Sequence, residues 1–181
     1  MTLHSLPIFV RLLDRPVILV GGGEAAEAKR RLLERAGARI VGEDADAALA
    51  VVVDDEAAVA RLKARGVLVN AVDRPDLCDF TLPAIVERGP VIVAVGTGGV
   101  SAGLAAALRQ RIEGLLPAGL GTLATALHGA RTAIRARWPD TDARRRAIGA
   151  ALAPGGALDP LAASPDVEAW LSGADGRSGS V

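Results

Sequence analysis

Aromatic residues are nearly missing from this chain of 181 residues: it has two Phe, two Trp and no Tyr. A core must then be built from Ala, Val, Leu and Ile, and with 50% of residues apolar there is material for one. Cysteine occurs once, at Cys78. That excludes an internal disulfide and a cysteine-only metal site, and it suits a reducing compartment. Neither sign of charge is in excess, with 21 basic and 21 acidic residues, so a general attraction to nucleic acid is lacking. No apolar run approaches the length that spans a bilayer. The stretch PIFVRL at residues 7–12 meets a charge too soon for a signal peptide. These absences point to a soluble, cytoplasmic protein with neither nucleic acid nor membrane as partner. The length allows one domain and an appendage.

What is present is an alternation of short apolar runs and helical patterns. Pro16–Val20 reads as a buried strand that ends in glycine. Glu24–Ala36 reads as a helix with Ala25, Ala28, Leu32, Leu33 and Ala36 on one face, closed by Gly37. Arg39–Val41 and Leu49–Val53 are further strands, Glu56–Arg65 a second helix closed by Gly66, and Val67–Val72 a fourth strand. Apolar runs without alternation suit parallel strands covered on both faces, so the class is α/β. The pattern changes after residue 79. Phe80–Val86 and Pro90–Val95 predict a hairpin turning at ERG, followed by a glycine-rich loop, Gly96–Gly99. Ser101 is placed to cap a helix reaching Leu116, with Leu104, Leu108, Ile112 and Leu115 as its stripe. One helical region is expected from Pro117 to about Trp138, then short helices to 172 and a disordered tail. The expected division is 1–79, 80–116, 117–172 and the tail 173–181.

Gly21, Gly23 and Ala26 fit the spacing G-x-G-x-x-A between a strand and a helix. The first glycine permits a tight turn, the second lets a pyrophosphate approach the backbone, and the small third residue lets helix and strand pack closely. The helix start then offers unpaired N–H groups and a partial positive charge. The expected fold is a Rossmann-like parallel sheet with NAD as cofactor. Its expected contacts are Gly21, Gly22, Gly23, Glu24, Ala25 and Ala26, with Asp54 beyond the third strand. Glu43, 20 residues past Gly23, stands where an acid accepts hydrogen bonds from the adenine ribose, and Asp44 and Asp46 compete for that role.

LPIFVRLLDRPVILVGGGEAAEAKRRLLERAGARI resembles the opening of the precorrin-2 dehydrogenase / sirohydrochlorin ferrochelatase family, which includes the N-terminal module of siroheme synthase. VVVDDE, then VLVNAVDRPDLCDFTLPAIVERGPVIVAVGTGGVSAGLAAALRQRIEGLLP, then LGTLATALHGAR agree in order. The resemblance covers roughly residues 4–137, and the joining of an NxVDxP loop to a glycine-serine loop is its specific part. It implies a homodimer built through an exchanged central segment, with residues 80–116 as the dimerisation segment, and a helical part closing the cleft. It also implies oxidation of precorrin-2 to sirohydrochlorin with hydride passing to NAD⁺, and in some members iron insertion to siroheme. The acid of the NxVDxP loop falls on Asp73, and the glycine-serine loop on Gly98, Gly99 and Ser101. A base beside the nicotinamide suits a reaction that removes a hydride and a proton, although Asp is also common in turns of this kind.

A tetrapyrrole carries many carboxylates, which guanidinium forks bind. Arg74, Arg109, Arg131 and Arg135 are available for this, each with a solvated helix face or turn as its plainer reading. His128 is placed as a proton carrier or iron contact, or simply as a helix-face histidine. Cys78 beside Asp79 lacks the other ligands of a metal site and reads as a small loop hydrophobe. Arg144–Arg146 reads as an exposed helix face. No resident metal is expected.

The chain departs from the family where a helix-strand unit normally precedes VVVDDE. Only seven residues separate Val41 from Leu49. A parallel crossover usually takes a dozen or more, and seven extended residues span roughly 20 Å. One strand-helix unit is therefore expected to be missing, which bears on the adenosine end of the site. Val53 stands where the family has Thr, residues beyond Trp138 match poorly, and no methyltransferase module follows. Two other functions remain open: a non-catalytic tetrapyrrole- or metal-handling protein whose NAD site is eroded, and an unrelated NAD-binding regulatory domain.

Overall fold

The computed structural model describes residues 3–173. The tail reading for 174–181 lies outside these residues. The chain divides into two compact units. One unit takes the described residues up to Pro83 together with Gly96–Ala102. The other takes Ala84–Val95 and the described residues from Gly103 onward.

The first unit is an α/β layer. Its elements are β1 (Pro16–Val20), α1 (Gly23–Arg35), β2 (Arg39–Val41), β3 (Leu49–Val52), α2 (Glu56–Ala64) and β4 (Leu68–Ala71). The strands are all parallel, in the order β2-β1-β3-β4. Side chains alternate across the sheet. Val17 and Val51 join Leu33 of α1, whereas Ile18, Ala50, Val52, Val69 and Ala71 join Ala58, Val59 and Leu62 of α2. The two helices thus cover opposite faces, as right-handed crossovers leaving β1 and β3 in opposite directions require.

The missing unit is replaced by a strap. Residues 42–48 carry the chain from β2 past β1 to β3, about two strand spacings or roughly 10 Å. Ala47 of the strap is buried in the α2-side core. Arg65 at the end of α2 donates to the carbonyls of Glu43 and Ala45, and Arg61 holds the Glu43 carboxylate. Two guanidinium groups therefore satisfy a crossover that has no helix of its own.

The expected inward face of α1 needs correcting. Ala26 and Leu33 are the buried residues, while Ala25, Ala28 and Ala36 are exposed. Ala26 must sit tight against the sheet for the turn before it to close, and that rotates the helix away from the Ala25–Ala28 stripe.

The second unit contains β5 (Ala84–Arg88) and β6 (Val91–Val95), an antiparallel hairpin turning at Gly89–Pro90. The hairpin begins four residues later than the sequence suggests, and Glu87 and Arg88 lie inside its first strand. The cause is upstream, where residues 78–80 are bonded to the free edge of β4. Helices α3 (Ala102–Leu115), α4 (Leu120–Gly129), α5 (Arg131–Arg137), α6 (Thr141–Leu152) and α7 (Val167–Ser172) follow. The single region expected from Pro117 to Trp138 is broken at Gly129–Ala130, since glycine is a poor helix former. Leu123, Ile134, Ala151, Leu158, Val167 and Trp170 form this unit's core. Trp138 and Trp170 stack with centroids 5.0 Å apart. Arg88 donates to the carbonyls of Glu113 (2.8 Å) and Leu116 (3.2 Å), capping the end of α3.

Candidate active site

Three loops of the first unit carry the site, and the first is the turn after β1. Gly21 has φ 99°, and a Cβ there would stand 2.3 Å from the Val53 carbonyl oxygen. The turn is thus pressed against the end of β3, where the strand order reverses and ligands of open α/β sheets bind. Gly22 is the N-cap of α1 and supplies no side-chain cap. Added Cβ atoms at Gly22 and Gly23 would meet nothing within 4 Å. The side-chain directions at the start of this helix of 13 residues are therefore open, and the local positive field favours an anion. Ala26 is 2% exposed, the close helix–sheet contact the motif demands, while Glu24 and Ala25 flank the opening. These residues fit a dinucleotide pyrophosphate.

The second part is a pair of acids. Val52 lies level with Ala71 in the β3–β4 register, so Asp54 and Asp73, each two residues on, leave the sheet at the same level. Both adopt the left-handed conformation, φ 56° and 59°, which Asp tolerates better than most residues. Both are exposed, and among the described residues neither carboxylate has a hydrogen-bond partner. A cleft of about 280 Å³ opens beside Asp54, lined also by Asp55, Glu56, Val72, Arg74 and Leu77. Arg74 is engaged by Glu56 and by Asp76 at 2.9 Å. Its hydrogen bond holds the Asp76 carboxyl below the usual range.

The third part is the glycine-serine loop. The Thr97 hydroxyl donates to the Ser101 carbonyl at 2.9 Å and accepts from the Ser101 N–H at 3.2 Å, folding the loop on itself. A Cβ at Gly98 would lie 3.1 Å from the His4 ring, and one at Gly99 would lie 2.6 Å from the Cβ of Pro75. The loop is therefore seated on the turn that carries Asp73, with His4 against its other side. His4 escaped the sequence reading because nothing in its spacing ties it to residue 98.

The other expected site residues belong to the second unit or are engaged by neighbouring groups. Glu43 receives a two-point bond from Arg61, 2.6 Å and 3.0 Å, and that hydrogen bonding lowers its pKa. Arg109 pairs with Glu113 at 2.6 Å. Arg109 and exposed His128 both belong to the second unit, as do exposed Arg131 and Arg135. The Cys78 thiol donates to the Ala71 carbonyl at 3.1 Å. Among the described residues no group of three His, Cys, Asp or Glu is arranged to hold a metal ion. No helix among them is long and apolar enough to cross a membrane.

Comparison with known proteins bears on the same loops. A family described as "Putative NAD(P)-binding" matches residues 41–84. Siroheme synthase of Methylobacillus flagellatus is 39% identical over 176 residues, covering 79% of this chain and 38% of that protein. The aligned length exceeds the part of this chain it covers, so the relative has residues this chain lacks. Siroheme synthase of Chromobacterium violaceum is 40% identical over 177 residues, covering 80% and 38%. That of Methylococcus capsulatus is 41% identical over 173 residues, covering 77% and 36%. The chain thus spans well under half the length of these relatives. Among solved structures, one described as "SirC, precorrin-2 dehydrogenase" shares the fold with TM-score 0.62 at 19% identity, over 80% of this chain and 87% of that one.

Proposed function

Because the chain belongs to the family of the precorrin-2 dehydrogenase module of siroheme synthases, we propose that it dehydrogenates precorrin-2 to sirohydrochlorin with NAD. One observation carries this reading: in a single unit, the loop bearing Asp73 is in contact with the glycine-serine loop, at the same sheet edge as an uncapped glycine turn. Bound there, NAD⁺ supplies the hydride acceptor. Gly22, Gly23 and the N–H groups that start α1 hold its pyrophosphate. Asp73, exposed and without a donor partner, takes the proton that leaves the substrate carbon. Gly98 and Gly99, which lack side chains, and the small Ser101 leave room for a macrocycle to lie against the loop. Iron insertion into the product is proposed as a second activity, with Asp73 removing pyrrole protons.

The active form is proposed to be a homodimer in the cytoplasm. Ile92, Leu104, Leu108 and Leu115 are exposed on the hairpin and α3, which supports burial against a second copy. Light scattering tests the dimer, and cell fractionation the compartment.

A second reading, a tetrapyrrole-binding protein without redox activity, is favoured by the capture of Glu43 by Arg61. The discriminating experiment adds NAD⁺ and precorrin-2 to the purified chain and follows sirohydrochlorin absorbance. Formation of product supports the dehydrogenase. Tetrapyrrole binding without dinucleotide binding supports the second reading.

A further inference from the structure

The strand β4 lies in the run VLVNAV, an apolar sequence interrupted by one amide. Asn70 is 7% exposed and is the one buried polar residue among those described. A parallel strand covered on both faces has no general use for an amide, and a buried one needs partners. Its Nδ2 donates to the Phe80 carbonyl at 2.9 Å and points at the Cys78 sulfur at 3.5 Å. The neighbouring backbone is tied to the same segment. The Asp79 N–H donates to the Val69 carbonyl at 2.8 Å. The Val69 N–H donates back to Asp79 Oδ2 at 2.9 Å. Lys63 from α2 holds the other oxygen, Oδ1, at 2.9 Å. Asp79 thus stands in for one residue of an absent neighbouring strand, using its carboxylate where that strand would use a carbonyl.

These bonds close the base of a loop of seven residues, 72–78, with Asp73 near one end. Inside it the Arg74 N–H donates to the Ala71 carbonyl and the Leu77 N–H to the Arg74 carbonyl, at 3.2 Å and 3.0 Å. Asp73 is held in the left-handed conformation, φ 59°. Such a residue stays there only when its surroundings over-determine it. The loop is also held by the Val72 N–H on the Val52 carbonyl at 2.9 Å, the Cys78 thiol on the Ala71 carbonyl and Arg74 on Glu56, while the bonds at its base join β4 to Asp79 and Phe80.

We infer that Asp79, together with Asn70, is a positioning residue for Asp73: closing the loop base on β4 aims the Asp73 carboxylate. The inference rests on the dehydrogenase reading above, since it concerns the turnover that Asp73 supports. Asp79 touches neither substrate nor cofactor in this account. Asp79→Asn keeps an oxygen for the Val69 N–H, whereas Asp79→Ala removes it.

The experiment measures kcat, KM for precorrin-2, NAD⁺ affinity and thermal unfolding for the wild type and for Asp79→Ala, Asp79→Asn, Asp73→Ala and Asp79→Ala/Asp73→Ala. Asp79→Ala is expected to lower kcat by about ten- to a hundredfold, the usual effect of a misplaced catalytic group, with NAD⁺ affinity unchanged. Asp79→Asn is expected to restore most of the loss. In the Asp73→Ala background, Asp79→Ala is expected to change nothing further, because a residue acting only through another has no effect once that other is gone. Wild-type turnover with an Asp79→Ala variant of full kcat overturns the inference alone, as do effects that multiply in the double variant. No turnover by the wild type overturns the dehydrogenase reading and the inference with it. If Asp79→Ala does not fold, Lys63→Ala, a surface change that frees one oxygen of Asp79, takes its place. It is expected to lower kcat by about two- to fivefold, and an unchanged kcat overturns the inference.

Discussion

A Cβ placed on Gly99 would stand 2.6 Å from the Cβ of Pro75. The glycine-serine loop and the loop bearing Asp73 therefore touch at a point where only glycine fits, and Gly99 also has φ 82°. Parts of the chain that are 24 residues apart are thereby locked into one sheet edge.

Gly99→Ala is expected to separate those loops. The added methyl cannot share space with the Pro75 ring, and a side chain at positive φ adds roughly 1–2 kcal/mol of strain. The kcat/KM for precorrin-2 should fall by about tenfold or more, with dinucleotide affinity kept. Parallel substrate titrations and NAD⁺ calorimetry check this.

Gly22→Asp is expected to move stability and cofactor affinity in opposite directions. Gly22 has φ −141°, open to any residue, and a Cβ there meets nothing within 4 Å. Aspartate is a good N-cap, so α1 should gain a few tenths of a kcal/mol. The same carboxylate then occupies the N–H groups that a pyrophosphate needs, and adds negative charge beside it. NAD⁺ affinity should drop by about tenfold or more, as thermal melts and calorimetry would report.

Glu43→Gln is expected to loosen the strap without weakening NAD⁺ binding, because Arg61 already occupies the carboxylate. Hydrogen bonding by Arg61 holds Glu43 below the ordinary range. At Asp79, burial works to raise the pKa, but the Val69 N–H and Lys63 outweigh it and leave the carboxyl lowered. A folded pKa below the unfolded one contributes stability above the unfolded value, and that stability is lost as pH falls through the folded value. Melting temperature should therefore decline below about pH 4, and less steeply in Glu43→Gln. A large loss of NAD⁺ affinity in this variant would instead make Glu43 a ribose ligand.

Trp170→Ala is expected to cost about 3 kcal/mol or more by opening the core of the second unit, since Trp170 is 9% exposed and stacks on Trp138. These are the two tryptophans of the chain. Denaturation followed by their fluorescence reports that unit, and the midpoint should shift.

The sheet was largely legible in the sequence because its strands are covered on both faces. Runs such as PVILV and LAVV are apolar throughout and end at glycine or aspartate, so their bounds needed no tertiary knowledge. The glycine turn was legible because its spacing is the one a tight strand-to-helix turn requires, with Gly21 against the Val53 carbonyl and Ala26 against the sheet. The start of the hairpin was not legible. Residues 78–80 are held to β4 partly through the Asp79 carboxylate, and no hydrophobic periodicity reveals a side chain standing in for a strand. At Glu43 the spacing along the chain marks an acid near the ribose position but does not reveal its pairing with Arg61. The shortened crossover was the one hint that its surroundings had changed. Asn70 was visible as an amide in an apolar run, but only the bond to Phe80 gives it a reason.

The most direct test of the account is an anaerobic single-turnover measurement with purified chain, NAD⁺ and precorrin-2, following NADH and sirohydrochlorin together. The account predicts that both rise at the same rate and in equal amounts, and that Asp73→Ala slows both by about a hundred- to ten-thousandfold, leaving a residual rate, while NAD⁺ still binds. Precorrin-2 left unchanged by the wild type, or converted at the same rate without NAD⁺, would contradict it.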